Sequence, residues 1–300
     1  MTATPPLLFC FGLGYSALAL ARSLQASGWQ VAGTCRSAEK QAALAGLGIA
    51  TQLFDRARPL VDPLAAFGGA TAILSSVPPD DSGDPVLDRH GADLARAGDI
   101  RWAGYLSTTG VYGDRRGGWV DESSALRPTG ERGRRRVAAE QGWMALHRAA
   151  GLPVHVFRLA GIYGPGRNAL QSLRDGVARR VIKPDQVFSR IHRDDIVAVL
   201  LASLARPAPG AVYNVCDDDP AAPDEVVAHA AALLGVAPPP AVALADAALS
   251  PLGRSFFDDN KRVANRRIKE ELGVVLRHPD YRSGLAALLA EGEGRGSAGA

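Results

Sequence analysis

Residues 12–17 read Gly12-Leu13-Gly14-Tyr15-Ser16-Ala17, a G-x-G-x-x-A pattern. Glycines at that spacing let a backbone turn tightly and approach a pyrophosphate, and a small Ala17 lets helix and strand pack closely. Backbone N–H groups opening a helix, those of Tyr15 and Ser16 among them, present partial positive charge to phosphates. The same letters also occur in ordinary βα turns. Here the apolar run LLFCF (7–11) precedes the loop and the helix-periodic YSALALARSLQAS (15–27) follows it, so dinucleotide binding is the better reading.

The end of the second strand says which dinucleotide. NAD sites place an Asp or Glu about 20 residues on, to accept the ribose hydroxyl bonds. From Arg22 to Ala38 there is no acid, and the chain offers Thr34, Cys35, Arg36 and Ser37 instead. A guanidinium and a hydroxyl suit a 2′-phosphate, for which Arg supplies paired donors. NADP is therefore the expected cofactor, with NAD less favoured. Asp55, after the third strand, is placed to hydrogen-bond the adenine amine, or merely to cap a turn. Ser75 and Val77, at the end of the fourth, complete the expected cofactor lining.

These residues need a scaffold, and the pattern around them supplies one. WQVAGT (29–34), IATQLF (49–54), TAILSS (71–76), AGYLST (103–108) and VHVFRL (154–159) alternate with helical stretches, the clearest at 84–97 and 135–150. Ser37 is the expected N-cap of the helix after the second strand. Such alternation predicts an α/β fold with a doubly wound parallel sheet covered on both faces. After Arg158 the rhythm loosens into a Gly/Pro loop (161–168), a strand near 187–191, a helix at 194–205 and a strand at 211–216. The expected organisation is a Rossmann domain over 1–160, with 193–216 packing back on it. A smaller C-terminal α/β substrate domain takes 161–192 and 217–290, and the small polar tail 291–300 is expected to be flexible.

Composition excludes several classes. With 47% hydrophobic and 22% charged residues in 300, the chain is neither disordered nor fibrous. A net charge of +3 is too mild to imply nucleic acid or a membrane surface. No apolar run reaches the ~18 residues of a membrane span. Met1–Pro6 has no basic segment leading into an apolar core, so a cytoplasmic location is expected. Cys10, Cys35 and Cys216 lack CxxC spacing and read as reduced, buried thiols, with no metal site expected. Asp217-Asp218-Asp219 reads as a polar turn, because Ala222 and Ala228 stand where a Ca²⁺ loop needs Gly and Glu. The basic cluster Arg132-Gly-Arg-Arg-Arg136 has no interleaved aromatics. A small-molecule substrate is the expected partner, neither nucleic acid nor membrane, and a homodimer is left open.

Three segments resemble one family in order. Leu106-Ser-Thr-Thr-Gly-Val-Tyr-Gly113 resembles the "SSxxVYG" segment of extended short-chain dehydrogenases/reductases, Arg158-Leu-Ala-Gly-Ile-Tyr-Gly-Pro165 their "RxxNVYGP", and Ile191-His-Arg-Asp-Asp-Ile196 their "IHVxD". The ending NKRVANRRIKEELG then HPDYRSGL is similar to the NAD(P)-dependent epimerase/dehydratase group, particularly its atypical YeeZ-like branch. The likeness runs collinearly from about Leu7 to Leu289. It implies a Rossmann domain with a small substrate domain, and acid/base chemistry by a Tyr whose pKa a Lys four residues on lowers. Thr108 takes the place of the Ser/Thr that holds the reacting oxygen.

The Tyr and Lys do not appear. Aligning Gly133 and Glu140 with the family's "YGxSKxxxE" puts Arg132 at the Tyr place and Arg136 at the Lys place. None of the six tyrosines has a Lys four residues on. Arg stays protonated at working pH, so Arg132 is no general base, whereas Arg136 is suited to ribose hydroxyls or an anionic substrate. Thr109 and Gly110 replace the Asp-Glu pair of sugar-nucleotide dehydratases, Gly161 replaces an Asn, and Phe188 stands near a diphosphate-gripping Arg. Asp88, near the Asn place of the family's tetrad, and Tyr163 are the remaining candidates to move a proton. Two functions follow from the resemblance: an NADP-dependent oxidoreductase or epimerase on a small or anionic substrate, or a catalytically silent NADP-binding sensor or scaffold.

Overall fold

The structure is a computed structural model that describes residues 5–293. The part of the expected tail from residue 294 onward lies outside the described residues. The chain divides into two compact units, the first taking in the chain to Thr108, Glu131–Arg158 and Val197–Tyr213.

In this first unit β1 (Leu7–Phe11), α1 (Tyr15–Ala26), β2 (Gln30–Cys35), α2 (Ala38–Ala45), β3 (Ala50–Leu53), α3 (Pro63–Phe67), β4 (Ala72–Ser75), α4 (Pro85–Arg96) and β5 (Trp102–Thr108) alternate. Later segments add α5 (Glu131–Ala150), β7 (Val154–Leu159), α7 (Arg193–Ala205) and β11 (Val212–Val215). The seven strands lie in the order β11-β7-β5-β4-β1-β2-β3, and the β1–β2, β1–β4, β2–β3 and β4–β5 pairs are parallel. Strand order reverses between β1 and β4, the switch point where such sheets leave a crevice at their carboxyl ends. Leu8 to Phe11 are at most 1% exposed, as a strand covered on both faces requires. Phe9, Phe11, Phe54 and Phe67 fill one layer, with ring centroids 5.0–5.8 Å apart.

Local chemistry starts the helices. Ser37 Oγ accepts from the Lys40 N–H at 3.2 Å, the expected N-cap of α2. Asp84 caps α4 by accepting from the N–H groups of Val86 and Leu87, and its other oxygen accepts from Trp143 Nε1 at 3.0 Å. One carboxylate thus starts α4 and fastens it to α5.

The second unit comprises Thr109–Gly130, Leu159–Ile196 and the chain from Asn214. Three short parallel pairs build it: β6 (Trp119–Val120) with β13 (Arg262–Val263), β8 (Gly161–Tyr163) with β10 (Arg190–His192), and β9 (Arg180–Ile182) with β12 (Ala241–Ala243). Its helices are α6 (Ala169–Arg174), α8 (Pro223–Leu234), α9 (Pro251–Ser255), α10 (Arg266–Glu270) and α11 (Tyr281–Ala290). Leu170, Val226, Ala230, Tyr281, Leu285 and Leu288 form its main core. Residues 109–130, expected with the first domain, group here instead. Pairing of β6 with β13, and the Asn260 N–H donating to Asp114 Oδ1 at 2.8 Å, tie them to the C-terminal segment. No described helix is long and apolar enough to cross a membrane.

Candidate functional site

At Gly12 the backbone adopts φ +80°, and a Cβ there would lie 3.0 Å from Ser76 Oγ and 3.3 Å from Val77 Cγ2. The Gly12 N–H donates to Thr34 Oγ1 at 2.9 Å, and Ser76 Oγ donates to the Gly12 carbonyl at 2.8 Å. Thr34 on β2 and Ser76 after β4 therefore clamp the loop from both sides. Gly14 is the N-cap of α1 and has no side chain to cap it, and the first turn carries no acid. The positive end of the helix is left uncompensated. A Cβ on Gly14 would meet nothing within 4 Å, so open space lies before the helix N-terminus. Tyr15 is half-buried, and Ser16 and Ala17 are buried against the sheet. Ser75 Oγ is buried at the carboxyl end of β4 with no hydrogen-bond partner. An open helix terminus, a left-handed glycine and an orphaned hydroxyl at the switch point fit a dinucleotide.

Gly33 shows why β2 must carry glycine: a Cβ would stand 2.3 Å from the Cys10 carbonyl oxygen. Beyond it Thr34 is buried, while Arg36 and Ser37 are exposed at the β2–α2 turn. Asp55 caps its own turn. Its Oδ1 accepts from the Ala57 N–H at 3.0 Å and its Oδ2 from Arg58 Nη2 at 2.9 Å. The hydrogen bond from Arg58 holds its carboxyl below the usual carboxylate range. Val77 packs onto the first unit's core.

Thr108 is half-buried at the last position of β5, and Arg132 is exposed in the first turn of α5. Arg136 reaches the end of β5, where its Nη1 donates to the Leu106 carbonyl at 2.5 Å and to Tyr105 Oη at 3.3 Å. Burial pushes the Tyr105 phenol above its ordinary value. Asp88 is ion-paired on α4: its Oδ2 accepts from Arg56 Nη1 at 2.7 Å, and Arg56 also holds Asp80.

Sequence reading missed a buried network beside Thr108. Ser107 Oγ donates to Glu140 Oε1 at 2.5 Å, and Arg158 donates to Glu140 through Nε at 3.1 and 3.2 Å and Nη2 at 2.7 Å. All three residues are at most 5% exposed. The signal was present: Arg158 is a charge inside the apolar run VHVFRL, and Glu140 follows Arg136 by one helical turn.

In the second unit Tyr163 packs into the core. Its Oη donates to the Asp280 carbonyl at 3.3 Å, and a Cβ on Gly284 would collide with it, so the phenol is wedged against α11. Burial raises its pKa above the ordinary tyrosine value, and the residue belongs to the unit's core. Asp217, read as part of a polar turn, is 1% exposed with neither carboxylate oxygen hydrogen-bonded. Burial pushes it up to about 8 against the attraction of Arg190. His192, Asp194 and His278 gather ligand-type atoms within 4.8 Å of one another, a grouping that their scattered sequence positions did not announce. Within it His192 Nδ1 accepts from the Asp194 N–H at 3.2 Å and Arg193 holds Asp194 Oδ1, while His192 Nε2 is buried and unbonded. A cavity of about 590 Å³ in this unit is lined by Arg116, Lys183, Gln186, Glu225 and Arg262 among others, with Gln186 Oε1 buried and unbonded.

The fold and the glycine loop define an α/β protein of the Rossmann type. Residues 92–216 match the model of the NAD dependent epimerase/dehydratase family. Protein YeeZ of Escherichia coli K12 is 31% identical over 280 residues, 90% of this chain and 95% of that protein. The chain belongs to the NAD-dependent epimerase/dehydratase family. A conserved protein of unknown function from Silicibacter pomeroyi is 52% identical with a TM-score of 0.87, over 96% of this chain and 99% of that one. The dTDP-glucose 4,6-dehydratase of Bacillus anthracis, solved with NAD, shares the fold at a TM-score of 0.75 and 16% identity, over 97% of this chain and 98% of its own.

Proposed function

We propose that the protein binds NADP at the Gly12–Ala17 loop and acts as an oxidoreductase or epimerase on a small or anionic substrate, without a Tyr-x-x-x-Lys pair. One observation carries the reading: the open N-terminus of α1 lies beside a β2 end that offers Arg36 and no acid. When bound, NADP supplies hydride chemistry at its nicotinamide. The chain's share is to seat the pyrophosphate at Gly14–Ser16, hold the 2′-phosphate with Arg36, and orient the reacting oxygen with Thr108. With Asp88 fixed by Arg56 and Tyr163 by the second unit's core, water at Thr108 is the proposed proton carrier.

Incubation with NADPH and a panel of small aldehydes, ketones and 2-oxo acids tests this, followed by loss of NADPH absorbance. Turnover that vanishes in Thr108→Ala, with cofactor affinity kept, is expected. A second reading, a silent NADP-binding sensor or scaffold, is favoured by Arg136, whose bonds to Leu106 and Tyr105 brace β5 without needing catalysis. Tight NADPH binding with no turnover across the panel, and unchanged affinity in Arg136→Ala, would select that reading.

A further inference from the structure

Arg58 turns its guanidinium back onto the junction of β2 and α2. Its Nη2 donates to the Arg36 carbonyl at 3.0 Å and to Asp55 Oδ2 at 2.9 Å. The turn that carries it is closed at both ends. The Asp55 N–H donates to the Arg58 carbonyl at 3.2 Å, and the Arg58 N–H to the Asp55 carbonyl at 3.0 Å. Asp55 Oδ1 takes the Ala57 N–H inside the same turn. Asp55, expected on the adenine, is thus the positioning residue for Arg58.

The junction carries Arg36 and Lys40, with Arg58 turned onto its backbone, against the two acids Glu39 and Asp55. Arg58 keeps 46% of its side chain exposed, and Arg36, Ser37 and Lys40 are exposed beside it. A phosphate monoester carries about −1.5 to −2 charge at pH 7, and forked guanidinium donors bind its oxygens in pairs. A ribose hydroxyl is neutral and gains little from a second guanidinium. The arrangement therefore discriminates between two nucleotides that differ by one phosphate.

We propose that Arg58 is a second arginine for the 2′-phosphate of NADP, gripping it together with Arg36. This rests on the NADP reading above. Calorimetric titration of the full-length chain with 2′,5′-ADP and with 5′-AMP separates the two claims, since the probes differ only in that phosphate. The wild type is expected to bind 2′,5′-ADP at least about tenfold tighter, and Arg58→Gln to weaken it about five- to twentyfold while 5′-AMP stays within about twofold. Arg58→Lys, keeping the charge without the fork, is expected to restore part of the loss. If Arg58→Gln leaves 2′,5′-ADP binding unchanged while Arg36→Ala weakens it, Arg58 has no such role and the NADP reading stands. Equal losses for both nucleotides in Arg58→Gln would make Arg58 a brace of the turn and overturn the proposal. No preference in the wild type overturns the NADP reading and the proposal together.

Discussion

Arg158 places a guanidinium, 5% exposed, inside an apolar strand, where Glu140 balances it. Truncating one partner of such a pair leaves a buried charge uncompensated. Glu140→Ala is therefore expected to cost about 3–5 kcal/mol in denaturant unfolding, far more than a surface acid. Asp217 gives the opposite kind of prediction. Its folded-state pKa, about 8, lies above the unfolded 3.8, so the folded form holds the proton more tightly. Its contribution favours folding below the unfolded value and is lost as pH rises toward 8. Wild-type stability should fall between pH 6 and pH 8 and Asp217→Asn should flatten that fall, a difference reaching about 2–3 kcal/mol in denaturant unfolding. Arg36 stood out in the sequence because no acid precedes it at the end of β2, and the structure leaves it exposed at the β2–α2 turn. The burial of Asp217 and the pairing of Asp88 with Arg56 were not legible there, because long-range packing decides them and no local pattern records it.

Two glycines, Gly33 inside β2 and Gly14 at the start of α1, separate folding from binding. Gly33→Ala drives a Cβ to 2.3 Å from a β1 carbonyl, and neither strand has a flexible side chain to move away. It should destabilise the first unit by at least about 1–3 kcal/mol, as overpacking does. Gly14 has φ −78°, and a methyl group on its Cα would meet nothing within 4 Å, so Gly14→Ala should leave the melting temperature within a degree or so. The same methyl would stand in the proposed pyrophosphate site, and NADPH affinity should fall by about tenfold or more. Equal thermal losses in both variants would contradict this division. Strands of the sheet were readable because apolar runs of four to seven residues fill a covered sheet. β6, β8, β12 and β13 were not, since two or three residues are too few to show a period.

For the molecule as a whole, collinear family segments announced the fold, but they placed residues 109–130 with the first domain. That stretch follows β5 in sequence, while its hydrogen bonds run to residues 259 and 260 some 130–150 positions later. Sequence proximity was the wrong guide there. Family membership leaves the choice of cofactor open, and the account depends on that choice at Arg36. Fluorescence titration of the full-length chain with NADPH and with NADH, repeated on Arg36→Ala, tests it most directly. The account predicts NADPH binding at least tenfold tighter, about 1.4 kcal/mol, with most of the difference lost in the variant. Superimposable curves for the two cofactors in the wild type would contradict it.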